Sequence, residues 1–498
     1  MTVTVPLRPV RRWIHRTQSA HRDRGEFLGS VYVAVLFVVI VGAMLHRQLT
    51  ATFWPADPAL SGVSAIALGV LSAALILLAL RRLGPVSLSR PAAYFLLTAP
   101  VSRRRLLLPS VRLTAAAAAV TAGAAGFAVL GHTTHRDTAP VGPLTLAAAV
   151  TGVALFLLAR SAQADTARAA LVDRLAAAAL AAGLAELVLE AAGWTPPTLG
   201  GWPTGALVVP LTGALAVVVT AGFLLGVRDL ARTPNDRILE SAKTAGTLFD
   251  AAFGMEPSWV ADMVERRYWA HRRLRSTRPP ARLPVLVGQD LLLARRRLPR
   301  LLWLTAATTL PLLAADGPGW LLATLIPLGG MIAAGTTTAT VKTDAGNPVL
   351  LRLLGLSSRH ALTQRLWIPA LLSTAWTTIA LTLLQATGNL PSGLWWLLGL
   401  TAGPVGAAAA VRHARVGFVR NDLLPLDTPM GTVSTGPLVS SVAGPDLLLL
   451  TLPTMLTLGQ ATPPSPTVLA LQATLTTVGL RAYLSLSTSE SRVPLSPR

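Results

Sequence analysis

Two carboxylates stand out within an otherwise apolar stretch of the chain. Glu186 and Glu190 lie four residues apart in the run 175–192, so a helix would carry both on one face. An acid inside a membrane-crossing helix is costly, and where one occurs it often relays protons or pairs with an ion. Glu186 is the deeper of the two and is the intramembrane acid to which such chemistry would fall. A polar contact within a helix bundle is the alternative interpretation.

The other patterns that could carry chemistry are incomplete. His132 and His135 precede Asp137 on a short segment, but zinc usually takes three or four protein ligands. Lys243 and Lys342 are each followed by threonine, without the preceding glycines that let a P-loop wrap around phosphates. The chain has no cysteine, and neither His-Glu-x-x-His nor Gly-x-Ser-x-Gly occurs. We therefore expect no catalytic residue, no metal site and no cofactor.

The composition is that of a membrane protein. Of 498 residues, 52% are hydrophobic and only 13% are charged, whereas soluble domains have about 25% charged residues. The mean hydropathy is +0.56. This balance argues against a disordered chain and against a soluble enzyme, and it favours a protein with many membrane-spanning helices.

Apolar runs recur along the whole chain. Most reach the roughly 18 residues that an α-helix needs to cross the apolar part of a bilayer. We predict an all-α integral membrane protein with about twelve transmembrane helices, at 28–45, 59–80, 108–131, 141–159, 175–192, 205–227, 301–315, 319–341, 366–388, 394–411, 445–461 and 467–485.

The gaps between these runs alternate in charge. The gaps that follow the odd-numbered runs carry only Arg47 and Arg136 against Asp57, Asp137 and Asp316. The remaining gaps and both termini carry the excess behind the net charge of +21. By the positive-inside rule, both termini lie in the cytoplasm and the protein is a multi-pass protein of the plasma membrane. The positive charge is thus explained by topology, and we expect no nucleic-acid partner.

Six runs precede a long polar stretch at 228–300 and six follow it, so the two halves are predicted to be parallel repeats. The predicted domains are a cytoplasmic or interfacial N-terminal helix at 1–27, a first six-span half at 28–227, a helical connector at 228–300, a second six-span half at 301–485 and a cytoplasmic tail at 486–498.

The halves share a local pattern between their second and third spans. In each, a proline begins about two turns of helix, a leucine pair and a break follow, and Ser-Arg opens the next span. The residues concerned are Pro91, Tyr94, Leu97, Ser102 and Arg103 in the first half and Pro348, Leu351, Leu354, Ser358 and Arg359 in the second. We expect a short helix at the inner membrane surface in each half.

Two cytoplasmic segments carry apolar stripes among arginines. In the connector, helices are predicted to start at Thr233 and at Pro257, and their apolar stripes need a partner: each other, the membrane or another protein. The arginine-rich end of the connector and the N-terminal segment 8–27 are expected to lie against anionic lipid of the inner leaflet.

The segment Thr98-Ala99-Pro100-Val101-Ser102-Arg103-Arg104-Arg105-Leu106 resembles permease subunits of type 2 ABC exporters. In those permeases a leucine-rich short helix precedes such a motif and docks into a separate ATPase as a coupling helix. The resemblance implies this role for 89–99 and, through the repeat, for 347–357, with two copies of an ATPase subunit as partner. The second half departs from the motif, since Ser358-Arg359-His360 lacks the arginine run. The chain also resembles uncharacterised actinobacterial membrane proteins of this fused form.

The resemblance implies a fused exporter permease that forms the substrate path, with ATP hydrolysed on the partner. Two other classes remain. A proton-coupled secondary transporter also fits twelve spans and would use Glu186, but the gap after the second span lacks the Gly-x3-Asp-Arg pattern of the major facilitators. A membrane scaffold that transports nothing is the third. The sequence does not specify the substrate.

Overall fold

The computed structural model describes residues 60–100, 102–133, 141–195, 205–253, 257–270, 282–315, 317–417, 426–428, 431–433 and 435–489, with residues 277 and 280 and scattered positions between 13 and 54. The predicted N-terminal helix at 1–27 and the first run at 28–45 fall on scattered positions only. His135, Asp137 and the last residues of the tail lie outside the described residues.

Nearly all of the described chain is helical, as predicted. The first part contains α1 (Gly62–Leu83), α2 (Arg90–Leu96), α3 (Arg103–Gly131), α4 (Val141–Ala164), α5 (Thr166–Ala191), α6 (Gly205–Arg228) and α7 (Asn235–Phe253), with a 3-10 turn at Asp229–Arg232. The second part begins with α8 (Pro257–Ala270), α9 (Val285–Arg296), α10 (Leu298–Ala307), a 3-10 turn at Leu310–Ala314, α11 (Gly319–Gly335), α12 (Ala339–Gly346) and α13 (Pro348–Leu353). It continues with α14 (Ser358–Ala386), α15 (Trp395–Val416), α16 (Thr435–Val442), a 3-10 turn at Pro445–Thr451, α17 (Leu452–Gly459) and α18 (Pro466–Ser489).

The described strands are two short ones. They are β1 (Leu426–Thr428) and β2 (Gly431–Val433), which pair antiparallel with Leu426 opposite Val433. They lie in the polar gap between the tenth and eleventh apolar runs, so they do not interrupt a predicted span.

Several helices are long and apolar enough to cross a membrane, which agrees with a membrane-embedded protein. Six stretches of the described chain meet that requirement: Gly62–Leu83, Arg103–Gly131, Val141–Ala164, Ala206–Arg232, Ser358–Ala386 and Val439–Gly459. A seventh span would be the bent pair α11 and α12, whose axes differ by 65°. Helix α5, which carries Glu186 and Glu190, is not among these stretches, nor are α15 and α18.

The chain divides into two compact units. The first comprises residues 1–190 and 195–250, and the second comprises 191–194 and 251–498. In the first unit α3 packs against α4, which also contacts α1 and α6. Phe156, Leu107 and Leu230 are fully buried in its core together with Ile238 of α7. The apolar stripe of α7, which was predicted to need a partner, is therefore buried in the first unit at Ile238 and Ala242, whereas Phe249 is 61% exposed.

The second unit is organised around α15, which packs against α14, α11 and α18. Small residues permit this close approach. A Cβ atom at Gly399 would lie 2.6 Å from the Cα atom of Thr378, and one at Gly403 would lie 2.4 Å from that of Thr374. Such small-residue contacts let helix backbones pack tightly. In a membrane this packing matters, because the hydrophobic effect does not drive helices together there.

Candidate functional site: two short helices and their supports

The first short helix, α2, exposes aromatic side chains. Pro91 lies in its first turn, where a missing N–H costs nothing. Tyr94 and Phe95 are 54% and 75% exposed. Leu97, which follows the helix, is instead half-buried and packs against the core of the first unit. Two aromatic rings on one turn of α2 therefore face outward, while Leu97 anchors the end of the helix.

The segment before α2 is held through the backbone of Val86. Its N–H donates to Gln163 Oε1 and its carbonyl accepts from Gln163 Nε2, both at 3.2 Å. The hydroxyl of Ser241 donates to the same carbonyl at 2.8 Å. Gly84 makes room for this contact, because a Cβ there would lie 2.3 Å from that of Ser241. A buried amide on α4 and a buried hydroxyl on α7 thus fix the entry to α2.

Arg90 ties the start of α2 to α7. Its Nη1 lies 2.5 Å from Asp250 Oδ2, and its Nη2 donates to Thr247 Oγ1 at 2.8 Å. Gly246 lets the side chain lie across α7, since a Cβ there would be 2.3 Å from Arg90 Nε. The side chains of Arg90 and Asp250 are 40% and 41% exposed, so solvent screens their attraction.

Arg103 links the next helix to α7. Ser102 is the N-cap residue of α3, without a side-chain capping bond. Arg103 donates through Nη2 to the Thr233 carbonyl at 2.8 Å and to Asn235 Oδ1 at 2.6 Å. Arg103 therefore contacts the beginning of α7, whereas Arg90, at the start of α2, contacts its C-terminal part.

The second short helix, α13, also exposes apolar side chains. Val349, Leu353 and Leu354 are 63%, 78% and 55% exposed, and Leu351 is half-buried. Pro348 is the first residue of the helix. At the other end Gly355 has a φ of +67°, and the N–H of Leu356 donates to the Leu351 carbonyl at 3.1 Å. This is a glycine-terminated helix end, which α2 lacks.

The helix after α13 begins at Ser358, with Ser357 as its N-cap. The Ser357 hydroxyl accepts from the His360 N–H at 3.3 Å. Arg359 is exposed in the first turn, whereas Arg103, its counterpart in the repeat, reaches α7. The two arginines that the repeat aligns thus occupy different surroundings.

A buried arginine organises the support of α13. Arg365 of α14 lies 2.7 Å from Asp344 Oδ2 of α12 through Nε and 2.5 Å from Asp290 Oδ1 of α9 through Nη1. Its Nη2 donates to Gln289 Oε1 at 3.2 Å. The side chains of Arg365 and Asp290 are 4% and 0% exposed. Because Asp344 stands four residues before Pro348, this network fixes the helix that leads into α13.

The buried position of Asp290 disfavours the ionised form of its carboxyl. Burial raises its pKa to about 6, although Arg365 and the hydroxyl of Thr340, which donates to Asp290 Oδ1 at 2.9 Å, both oppose that rise. A buried ionised carboxyl is stable only when it is paired and hydrogen-bonded. Desolvation of the Asp290 carboxylate therefore outweighs its attraction to Arg365.

Glu186 lies within the first unit, half-buried on α5. Its Oε1 accepts from the Ser64 hydroxyl of α1 at 3.4 Å, which is a long contact. Its Oε2 is buried and has no hydrogen-bond partner among the described residues. His132 uses Nδ1 toward the Ala128 carbonyl at 2.8 Å.

The sequence did not indicate Gln163, Asp290 or Arg365. Each lies within or at the edge of a helix and has at least one partner 75 or more residues away. One signal was present: Gln163 and Arg365 each flank an apolar run at its predicted cytoplasmic end, where polar side chains can meet other cytoplasmic segments.

No curated protein and no solved structure matches the chain. A family model, described as "Family of unknown function", matches residues 59–416, which include both short helices. That range covers well over half of the chain, and the protein therefore belongs to the family DUF6297.

Proposed function

We propose that the chain is the membrane permease of an ATP-driven exporter and that α2 and α13 dock a separate ATPase. The observation that carries the proposal is the exposure of large apolar side chains on both short helices. Exposed apolar clusters commonly mark contact surfaces, and here the same kind of cluster recurs at corresponding points of the two halves.

The supports described above suit this role. A helix that transmits movement must be attached to the helices that it moves. The entry to α2 is bound to α4 and α7, and the helix before α13 is bound to α9 and α14. Force applied to either short helix would thus reach the apolar helices directly.

The docking proposal is tested with Phe95→Asp and Leu353→Asp. Each would place a charge in an apolar contact, where an unpaired buried charge costs several kcal/mol. We expect both variants to insert normally but to lose copurification with a co-expressed candidate ABC ATPase subunit. Leu283→Asp is the matched control, because Leu283 is 39% exposed but precedes α9 rather than lying on a short helix. Undiminished copurification in both variants would contradict docking.

A second function, proton-coupled secondary transport, is favoured by Glu186, whose Oε2 is buried and has no hydrogen-bond partner among the described residues. Glu186→Gln keeps the shape of the side chain but cannot titrate. Under the permease proposal, export by this variant stays above half of the wild-type rate, and dissipating the proton gradient at constant ATP leaves initial export unchanged. Loss of export in both tests would favour the secondary transporter. If neither an ATPase partner nor transport is found, the scaffold class would be favoured.

A further inference from the structure

The break between α11 and α12 adjoins a cavity with an unusual charge balance. The cavity measures about 600 Å³. Its wall includes three cations, Arg297, Arg300 and Lys342, and two acids, Asp262 and Glu265. Thr338 and Ala339, at the start of α12, line it as well. All of these residues belong to the second unit.

One carboxylate serves two guanidinium groups in this wall. Glu265 Oε1 pairs with Arg297 Nη2 and accepts from the indole N–H of Trp269. Glu265 Oε2 lies 3.4 Å from Arg300 Nη1, which is a long ion pair. Lys342 Nζ forms an ion pair with Asp262 Oδ1 at 2.8 Å. His413 also lines the cavity, and even with that imidazole neutral the wall keeps an excess of one positive charge.

Arg297 is the most confined of the cations. Its side chain is 3% exposed. Nη1 donates to the Thr336 carbonyl, which the bend between α11 and α12 leaves without a helical partner, and Nη2 is taken by Glu265. Nε is buried and has no hydrogen-bond partner among the described residues. An unsatisfied charged donor of this kind is costly, and Arg297 lines the cavity.

The start of α12 supplies a second set of donors. The first N–H groups of an α-helix have no intrahelical acceptor, and the helix dipole adds positive potential there. Ala339, the first residue of α12, lines the cavity together with Arg297 and Lys342. The N–H groups of Val341 and Lys342 donate to the Thr338 carbonyl, so the donors that remain in this turn are those of Ala339 and Thr340. A buried guanidinium and these two amides together form an arrangement that suits a phosphate or a similar oxyanion.

We propose that this cavity binds a phosphate group, with Arg297, Arg300 and the first turn of α12 as donors. The group would come from a lipid head group or from a soluble phosphate-bearing solute. The site does not depend on the exporter proposal, since it uses neither α2 nor α13.

The absence of cysteine provides the test. Ala339→Cys and Ala414→Cys each place a single thiol on the cavity wall, and Ser358→Cys places one on an exposed helix start as the control. The rate of reaction with the uncharged reagent N-ethylmaleimide is measured on the full chain. In detergent, the rate in inorganic phosphate is compared with the rate in sodium chloride of equal ionic strength. In phosphatidylcholine nanodiscs, the rate with phosphatidic acid is compared with the rate without it.

We expect phosphate or phosphatidic acid to slow the reaction at both cavity thiols and not at Ser358→Cys. Protection by phosphate in detergent identifies a soluble source, and protection by phosphatidic acid alone identifies a lipid. Arg300→Gln should raise the ligand concentration for half-protection about tenfold, the effect of one lost charge-assisted hydrogen bond, whereas Arg359→Gln should not.

Three outcomes would overturn the proposal: no protection of either cavity thiol by either ligand, equal protection by chloride, or unchanged protection in a folded Arg300→Gln variant. The first two can be measured with Ala414→Cys, which alters no residue of the proposed donor set, so they test the proposal even if Arg300→Gln fails to fold. Size-exclusion profiles of all variants establish that they are folded.

Discussion

The two short helices expose similar apolar surfaces but are supported in different ways. Around α2 the support is made of backbone hydrogen bonds to Gln163 and Ser241 and an ion pair, Arg90–Asp250, that is 40% and 41% exposed. Before α13 the support is a buried charge network in which Arg365 is 4% exposed. Exposed pairs contribute about 0–1 kcal/mol, whereas removing one member of a buried pair costs about 3–5 kcal/mol.

The difference shows that a short surface helix can be positioned mainly by neutral hydrogen bonds or mainly by a buried ionic network. The neutral support depends on shape, since Gly84 and Gly246 let α7 approach closely. The ionic support depends on complete pairing, since Asp290 and Asp344 both rely on Arg365. We therefore expect the second support to respond more strongly to single substitutions and to pH.

The comparison would lose its basis if the short helices lay on opposite sides of the membrane. Tyr94→Cys and Leu353→Cys are predicted to be inaccessible to an impermeant thiol reagent in intact cells and fully reactive after permeabilisation, because both lie in basic gaps. Ser392→Cys, in a gap without basic residues, should react from outside. The measurement is labelling of each single-cysteine protein. External labelling of Tyr94→Cys or Leu353→Cys would disprove the parallel arrangement.

The largest expected change in stability follows from Arg365→Met. This substitution leaves Asp290 buried without its cation, so the free energy of unfolding should fall by about 3–5 kcal/mol, as measured by denaturant titration in mixed micelles. The double variant Arg365→Met with Asp290→Leu should recover part of the loss, because a buried pair can be replaced by apolar side chains at little cost. A loss below about 1 kcal/mol in the single variant would mean that the Arg365 ion pairs contribute no more than exposed surface pairs do.

An intermediate effect is expected for Gln163→Leu, which keeps most of the side-chain volume. Val86 would lose the side-chain partner of its N–H and one of two donors to its carbonyl, so the free energy of unfolding should fall by about 1–3 kcal/mol. Arg90→Gln is the matched comparison and should cost less than about 1 kcal/mol, because its ion pair is screened. If Arg90→Gln proves the more damaging variant, the exposed ion pair and not the amide positions α2.

The smallest expected effect concerns pH and Asp290, whose pKa is raised from 3.8 to about 6. A carboxyl with a raised folded-state pKa stabilises the fold when protonated, and that contribution is lost as the pH rises through the folded pKa. Between pH 5 and pH 7 the wild type should lose about 1 kcal/mol relative to Asp290→Asn. Parallel stability profiles of the two proteins over that range would contradict the assigned cause.

The sequence predicted the helices better than their contacts. Apolar runs and prolines located α2 and α13, because helix starts and burial depend on neighbouring residues. The supports could not be predicted, since Arg90 meets Asp250 and Arg365 meets Asp290 only after chain segments far apart fold together. For the same reason the sequence did not indicate that α7 packs in the first unit while α8 belongs to the second. Leu97 belongs to the segment 89–99 that was expected to dock, but only the structure distinguishes it from the more exposed Phe95.

The bend of 65° between α11 and α12 has a mechanical consequence. Helix α12 spans eight residues, so it is about 12 Å long at 1.5 Å per residue. A rotation of about 10° at the threonines of the bend would swing its far end by about 2 Å, given that length. The far end leads into α13 and is paired through Asp344 with Arg365 of α14, so a change of the bend angle would move α12 as a lever arm about Thr336–Thr338 only if α14 moved with it. Small changes of the bend angle beside the cavity would then move α13 sideways.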